Sequence, residues 1–274
     1  MSNPVFSNSP VFGDPNDRRN RARAQAGAGS GAMATQTIDA VTLDKMYEAP
    51  SATARDTGRL TYDDVIIKTA GLFAMLVVSA AITWTLVPGL WVVGAVVGLV
   101  LGLVNAFKRE PSPVLISLYA VAQGVFLGGI SLYFEQRWPG LVVQAVLATF
   151  AVFAASLFLF RSGRVRVTPK FTRWLILALV GYLVFSLVNV VLMFFNVGGG
   201  EFGPLRSGWI GVAVGLLAVG LAAASLIVDF DSIKRGVEAG APRKLAWSAA
   251  FGLVVTLVWL YLELLRLLAI LRGD

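Results

Sequence analysis

The chain has 274 residues, of which 57% are hydrophobic and 14% are charged, and its formal net charge is +7. Soluble domains carry about 25% charged residues, so a soluble fold would leave much of this apolar surface in water. The sequence contains no cysteine and no histidine, which excludes disulfides, Cys or His metal sites, and catalysis by Ser-His or Cys-His pairs. The composition therefore indicates an integral membrane protein, for which we expect no cofactor and no metal centre.

The first 58 residues differ in composition from the rest of the chain. They are polar and include a stretch rich in Gly, Ala, Ser and Arg, which buries too little apolar surface to offset the entropy of ordering. No apolar core follows Met1, so we do not expect this segment to act as a signal peptide. We predict a disordered cytoplasmic tail over 1–58 and a transmembrane domain over 59–274.

Seven apolar runs, separated by short polar loops, make up the transmembrane domain. Each is about 20 residues long, which is the length that crosses a hydrocarbon core of about 30 Å, and each must be helical because lipid offers no partner for open backbone groups. Thr61 and Asp64, just ahead of the first run, resemble a capping box. The predicted spans cover 65–87, 90–107, 113–134, 140–160, 172–195, 208–229 and 244–271. The predicted fold is therefore an all-α membrane protein, a bundle of seven transmembrane helices.

Basic residues are distributed unevenly between the two sets of loops. One set of loops contains only two basic residues, Arg137 and Arg206. The other set contains eleven, which are Lys108, Arg109, Arg161, Arg164, Arg166, Lys170, Arg173, Lys234, Arg235, Arg243 and Lys244. Because basic loops stay in the cytoplasm, we predict a plasma-membrane protein with a cytoplasmic N-terminus. The same membrane setting explains the positive charge without nucleic acid as a partner.

Glycines recur at four-residue spacing within three of the predicted spans. This spacing places them on one face of a helix, where they allow close approach of a neighbouring backbone. The pattern indicates tight helix packing, with a sliding contact as the alternative. The glycines are Gly94, Gly98 and Gly102 in span two, Gly124 and Gly128 in span three, and Gly211 and Gly215 in span six.

Few ionisable residues fall within the apolar runs, and such residues are candidates for function by default. Asp229 ends span six without an adjacent base and is within reach of the cytoplasmic end of span two, where Lys108 and Arg109 lie. Glu263 lies near the outer end of span seven with Arg266 three residues later. These two form either a structural ion pair or part of a functional site.

Three segments together resemble the Bax inhibitor-1/YccA-like family. The long N-terminal tail resembles that of bacterial members of this family. The three segments are Tyr119–Ser131, Ile227–Lys234 and Leu262–Leu271. The resemblance covers about residues 60–272 and implies a seven-helix fold in which the other six helices wrap the last one. For some members it also implies a pH-sensitive calcium leak. There, a carboxylate at the end of span six pairs with one in span seven, and an arginine at the end of span two competes for the first carboxylate.

Asp229 matches the first of these carboxylates, and Lys108 and Arg109 fall at the basic cluster after span two. Thr256 occupies the position expected for the second carboxylate, while Glu263 lies two helical turns beyond it. Whether Thr256 or Glu263 faces Asp229 is left open by the sequence. Two like charges in contact would share one proton, so the identity of this partner decides whether a paired-carboxylate latch exists.

Two functions remain open from the sequence. One is a calcium-permeable membrane protein gated near Asp229, with Gln123 in span three, where many relatives carry Glu, as a further candidate for the ion path. The other is a non-conducting regulator that binds membrane proteins such as a protease or secretion machinery. We expect no enzymatic activity, because intramembrane aspartyl proteolysis needs two aspartates in neighbouring spans and none of the apolar interiors contains Asp.

Overall fold

The computed structural model of the protein describes residues 58–195, 197–198 and 201–273. Short 3-10 turns at Pro88–Leu90 and Arg243–Leu245 lead into the second and the last of its long helices. The predicted disordered tail lies outside the described residues, apart from Gly58. The helices are α1 (Tyr62–Leu86), α2 (Trp91–Phe107), α3 (Pro113–Arg137), α4 (Leu141–Arg161), α5 (Pro169–Phe194), α6 (Gly208–Glu238) and α7 (Ala246–Gly273).

All seven helices are long and apolar enough to cross a membrane. They correspond one to one to the predicted spans, which confirms an all-α, multi-pass membrane protein. The largest difference in boundary concerns α6, which continues to Glu238, nine residues beyond the predicted end of span six. This extension is polar and carries an ion pair between Arg235 and Asp231, one helical turn apart. Hydropathy marks where the apolar span stops, whereas such pairs let the helix continue in water.

Helix α7 lies at the centre of the bundle. It has the largest buried share of the seven helices and packs against α1, α3, α4 and α6. Its residues belong to both hydrophobic clusters of the core, with Leu260 and Leu265 in one and Val254 in the other. Among the outer helices, α2 packs on α3 and α5 packs on α6. The expectation of a central last helix is thus confirmed.

Small residues let α1, α2 and α3 approach one another closely. A Cβ atom at Gly124 or Gly128 of α3 would overlap the backbone of α1, and one at Gly94 of α2 would lie 2.6 Å from the Phe126 backbone nitrogen. The four other predicted packing glycines also lie at contacts: Gly98 and Gly102 face side chains of α3, Gly215 faces α7, and Gly211 faces α7 and the backbone of Arg206. In lipid this close packing replaces the hydrophobic effect as the force between helices.

The loops alternate between two ends of the bundle. We call the end with loops 108–112, 162–168 and 239–245 the basic end, and the end with connections 87–90, 138–140 and 201–207 the opposite end. The segment before α1 lies at the basic end, where the Leu60 amide donates a 2.8 Å hydrogen bond to the Ala241 carbonyl and the Arg243 amide donates one of 2.9 Å to the Gly58 carbonyl. The chain therefore enters the bundle against the turn between α6 and α7.

The predicted cap of the first helix is present. The Asp64 amide donates a 3.2 Å hydrogen bond to Thr61 Oγ1, and Thr61 Oγ1 donates to Asp64 Oδ2 at 2.9 Å. Asp64 has a second partner that the sequence did not indicate, because Arg243 donates to Asp64 Oδ1 at 2.8 Å. The carboxylate is buried, so it ties the start of α1 to the α6–α7 turn.

Candidate functional site

Asp229 lies on α6 near the basic end of the bundle. It comes 21 residues after Gly208, the first residue of the helix, which is about 32 Å along the axis at about 1.5 Å per residue. Leu226, three residues earlier and on the same face, is fully buried. This face is turned toward α7, so the Asp229 carboxylate is partly buried between the two helices.

The partner of Asp229 on α7 is Thr256. Thr256 Oγ1 donates a 2.8 Å hydrogen bond to Asp229 Oδ2 and also lies 3.1 Å from the Gly252 carbonyl of its own helix. A Cβ atom at Gly252 would lie 3.9 Å from Asp229 Oδ1, so the carboxylate rests close to the α7 backbone. Among the described residues no lysine or arginine lies within 4.0 Å of this carboxylate.

Glu263 belongs to a different site at the opposite end. It lies seven residues after Thr256 on α7, or about 10 Å along the helix. Its side chain is buried, and its Oε1 accepts hydrogen bonds from Tyr182 Oη of α5 and from Trp259 Nε1, the latter at 3.1 Å. Arg266 pairs with Oε2. The structure therefore brings Thr256, and not Glu263, to Asp229.

Arg206 completes the cluster around Glu263. It lies just before α6, its side chain is buried, and its Nη1 is 3.9 Å from Glu263 Oε2. The guanidinium also lies over the ring of Tyr182, 5.2 Å from its centroid. We refer to Arg206, Glu263, Arg266, Tyr182 and Trp259 as the Glu263 cluster. It spans α5, α7 and the α5–α6 connection.

The connection that carries Arg206 is held in place by Asn189 of α5. Asn189 Nδ2 donates to the Phe202 carbonyl at 2.8 Å, and the Leu205 amide donates to Asn189 Oδ1 at 3.1 Å. Gly203 has a φ of +92°, and a Cβ atom there would lie 2.6 Å from both side-chain polar atoms of Asn189. Only glycine fits this approach, which folds the connection inward.

The amino-acid sequence matches a family of known proteins. The family described as Bax inhibitor 1 like matches residues 3–273, which is almost the entire chain. The chain belongs to the Bax inhibitor 1 like family. The match confirms the resemblance found in the sequence. No curated protein matches the chain.

In this Bax inhibitor 1 like protein, the position where the resemblance implied a second carboxylate holds the hydroxyl of Thr256. A hydroxyl both donates and accepts hydrogen bonds and carries no charge at neutral pH. Asp229 thus faces a neutral partner, and no like-charge repulsion arises between the two side chains. Within the described part of the chain, no three Asp or Glu side chains come together in a group that could hold a metal ion.

The basic residues after α2 are not brought to Asp229. Lys108 and Arg109 are exposed, and α2 packs on α3 at the side of the bundle. In the same loop, Glu110 instead accepts a 2.9 Å hydrogen bond from Lys244, and this bond holds the pKa of the Glu110 carboxyl below its ordinary value. The expected competition of Lys108 or Arg109 for Asp229 is therefore absent from this arrangement.

Gln123 also lies away from Asp229. It is on the α3 face that packs on α2, where its side-chain nitrogen would be 2.8 Å from a Cβ atom at Gly98. Its Oε1 is buried without a hydrogen-bond partner among the described residues. Gln123 is thus part of the α2–α3 contact.

Glu263 and Arg266 are recognisable as candidates in the sequence, but the partners that bury them are not. Tyr182 gave no signal, because a tyrosine in an apolar run is ordinary, and Arg206 was counted as a loop cation. One local pattern could have been used. Trp259 and Arg266 flank Glu263 at four and three residues, so all three share one helix face.

Proposed function

We propose that the protein is a calcium-permeable membrane protein whose gate lies where Asp229 meets Thr256. The observation that supports this is the 2.8 Å hydrogen bond from Thr256 to Asp229, which joins α6 to the central helix near the basic end of the bundle. Calcium prefers carboxylate and carbonyl oxygen ligands, and Asp229 supplies a carboxylate beside the Gly252 carbonyl that Thr256 contacts. A path along this side of α7 opens when α6 and α7 separate.

The strength of the hydrogen bond between Thr256 and Asp229 suits a gate that opens and closes. A hydrogen bond to a charged acceptor contributes about 1.5–3 kcal/mol, which corresponds to about a 10- to 150-fold bias in an equilibrium. Loss of this bond thus shifts the balance between the closed and open arrangements without unfolding the bundle, whose core consists of apolar contacts of α7.

The response to pH differs from that of a two-carboxylate latch. Two facing carboxylates share one proton, and losing it makes them repel. Here one carboxylate faces a hydroxyl, and Asp231, the nearest other acid on α6, is paired with Arg235 at 2.8 Å. With a single carboxylate in this contact, we expect the pH response of the leak to be that of a single protonation.

The test is calcium flux into liposomes that contain the purified full-length protein, at about pH 6 and about pH 8. Wild type is expected to conduct and to differ between the two pH values. Asp229→Asn is expected to conduct equally at both, because the titrating group is gone. Thr256→Val, which keeps the shape but removes the donor, is expected to raise the leak by about 10-fold or more.

Asp231→Asn is the matched control, since it removes an acid two residues away on the same helix. It is expected to keep the wild-type pH response. An unchanged pH response in Asp229→Asn would place the gate elsewhere, and absence of flux from wild type at both pH values would exclude the leak.

The orientation in the membrane is also part of the proposal. The connections of one side, with the helix ends beside them, carry eleven basic residues, against two for those of the other side. This asymmetry favours a plasma-membrane protein with its N-terminus and basic end in the cytoplasm. Because the chain has no cysteine, a single introduced thiol reports on which side of the membrane its loop lies. Arg109→Cys is expected to resist a membrane-impermeant maleimide in intact cells, while Arg137→Cys reacts; the reverse result would invert the topology.

One observation favours a second function. Thr256 replaces the second carboxylate that the resemblance implied for calcium-leaking members, which favours a non-conducting regulator of other membrane proteins. This alternative predicts no flux together with specific membrane proteins recovered after crosslinking in cells. Recovery of the protein alone would exclude it.

A further inference from the structure

Arg206 is buried with part of its hydrogen-bonding capacity unused. Its Nη2 donates to Ser186 Oγ at 2.5 Å and to Tyr182 Oη at 2.9 Å. Its Nε and Nη1 have no hydrogen-bond partner among the residues that the structure describes, although Nη1 lies 3.9 Å from Glu263 Oε2 as an ion pair. Buried donors of a charged group are normally satisfied. Both nitrogens are also closed to solvent, on a side chain that is only 4% exposed, so the charge of Arg206 is buried with incomplete compensation.

A cavity of about 240 Å³ lies beside this guanidinium at the opposite end of the bundle. It is far larger than the roughly 30 Å³ that one water molecule occupies in the liquid. Arg206, Arg266 and Ser186 contribute polar groups to its lining. Arg266 is partly exposed, so the cavity connects the buried guanidinium to the surface of the bundle.

The charges around the cavity do not cancel. Arg206 and Arg266 share a single carboxylate, that of Glu263, which leaves one positive charge. Glu201 also lines the cavity, but its Oε1 lies 3.5 Å from Arg137 Nε, so this acid is already neutralised. The cavity therefore favours a ligand with one negative charge.

Part of the cavity wall is apolar and faces outward. Val190 and Met193 of α5 line it, and their side chains are 59% and 41% exposed. On a helix of a membrane protein such residues face acyl chains. The cavity thus lies where a charged headgroup can reach the arginines while the attached chains stay in the lipid.

We infer that this cavity binds the phosphate group of an anionic lipid. A phosphate oxygen pairs with the partly exposed Arg266 and is attracted by the buried charge of Arg206 beside it. Such charge-assisted contacts hold anionic headgroups in basic pockets between transmembrane helices. Free phosphate offers the same oxyanion chemistry. The lipid is the favoured source because the cavity has an exposed apolar wall at Val190 and Met193, which a free ion does not use.

The experiment is native mass spectrometry of the full-length protein, delipidated in a non-ionic detergent and titrated with phosphatidylglycerol, phosphatidylcholine or inorganic phosphate. Wild type is expected to retain one phosphatidylglycerol at a half-saturating concentration about 10-fold lower than that of the zwitterionic lipid, because one charged contact contributes about a factor of ten. Arg206→Gln is expected to weaken this binding by about 10-fold.

Arg266→Gln tests the same site with less risk to folding, because that side chain is partly exposed, and the same loss is expected. Arg272→Gln is the control, since it removes an equal charge from the end of the same helix, where Arg272 donates to the Pro139 carbonyl. The inference is overturned if Arg266→Gln binds phosphatidylglycerol as wild type does, or if Arg272→Gln loses as much. Equal binding of inorganic phosphate and phosphatidylglycerol would show that the bound phosphate need not come from a lipid. Binding of neither would overturn the inference, because the cavity would then hold only water.

Discussion

Replacing Glu263 with glutamine should destabilise the protein strongly, because it leaves Arg206 buried without a carboxylate nearby. The two side chains are 5% and 4% exposed, and the charged atoms lie 3.9 Å apart. At an effective dielectric constant of about 20, charges at this distance attract by about 4 kcal/mol. Removing one partner of a buried pair costs about 3–5 kcal/mol, which is about a 150- to 5,000-fold shift in the unfolding equilibrium.

The surface pair on α6 provides the comparison. Arg235 and Asp231 are closer, at 2.8 Å, but the arginine side chain is 61% exposed. Such i,i+4 pairs contribute about 0.3–0.5 kcal/mol. Arg235→Gln should therefore change stability by less than about 1 kcal/mol, although the distance alone would rank this pair as the stronger one.

The assay is the free energy of unfolding of the full-length protein in lipid bicelles, measured for wild type, Glu263→Gln and Arg235→Gln. Arg206→Gln adds an internal check. It leaves Glu263 with Arg266 and two neutral donors, so its cost should be smaller than that of Glu263→Gln. A loss below about 1 kcal/mol for Glu263→Gln, equal to that of the surface pair, would refute the reasoning, because the cluster would then be hydrated.

Three further predictions concern other contacts. Gly128→Val should destabilise by about 1–3 kcal/mol through overlap with α1, whereas Gly71→Val, where a side chain meets open space, should stay within about 0.5 kcal/mol; bicelle unfolding measures both. Asp64→Asn should speed hydrogen exchange of the backbone amides before α1 about 5-fold, the effect of about 1 kcal/mol, and unchanged exchange would contradict the tie to the α6–α7 turn. Thr256→Asp should make the pH response of calcium flux two-step, since Asp229 then faces a second carboxylate; a single step would count against their contact.

Much of the fold could be predicted because membrane helices are specified locally. Each apolar run must satisfy its own backbone hydrogen bonds in lipid, so the seven spans follow from hydropathy without knowledge of their neighbours. The cap at Thr61 and the packing faces with Gly124 and Gly128 are equally local patterns. The end of α6 was the largest error in boundary, because a helix held by ion pairs continues where the apolar span stops.

The candidate site could be predicted only in part. Asp229 was identified as an acid at the end of an apolar helix, which needs no tertiary information. Its partner could not be chosen, because Thr256 and Glu263 differ by two turns and the choice depends on how deep α7 sits against α6. Lys108 and Arg109 were placed near Asp229 by their shared end of the bundle, but α2 packs on α3 and holds them apart.

The sequence by itself determined that this is a seven-span membrane protein of the Bax inhibitor 1 like family, with an acid at the end of α6. Only the tertiary structure decided that Asp229 meets a hydroxyl, and that Arg206, a loop residue in sequence, is buried beside Glu263. The physical reason is the difference in range. Hydropathy and helix periodicity act within one segment, whereas the partner of a buried charge is set by the depth and rotation of helices that are far apart in the chain.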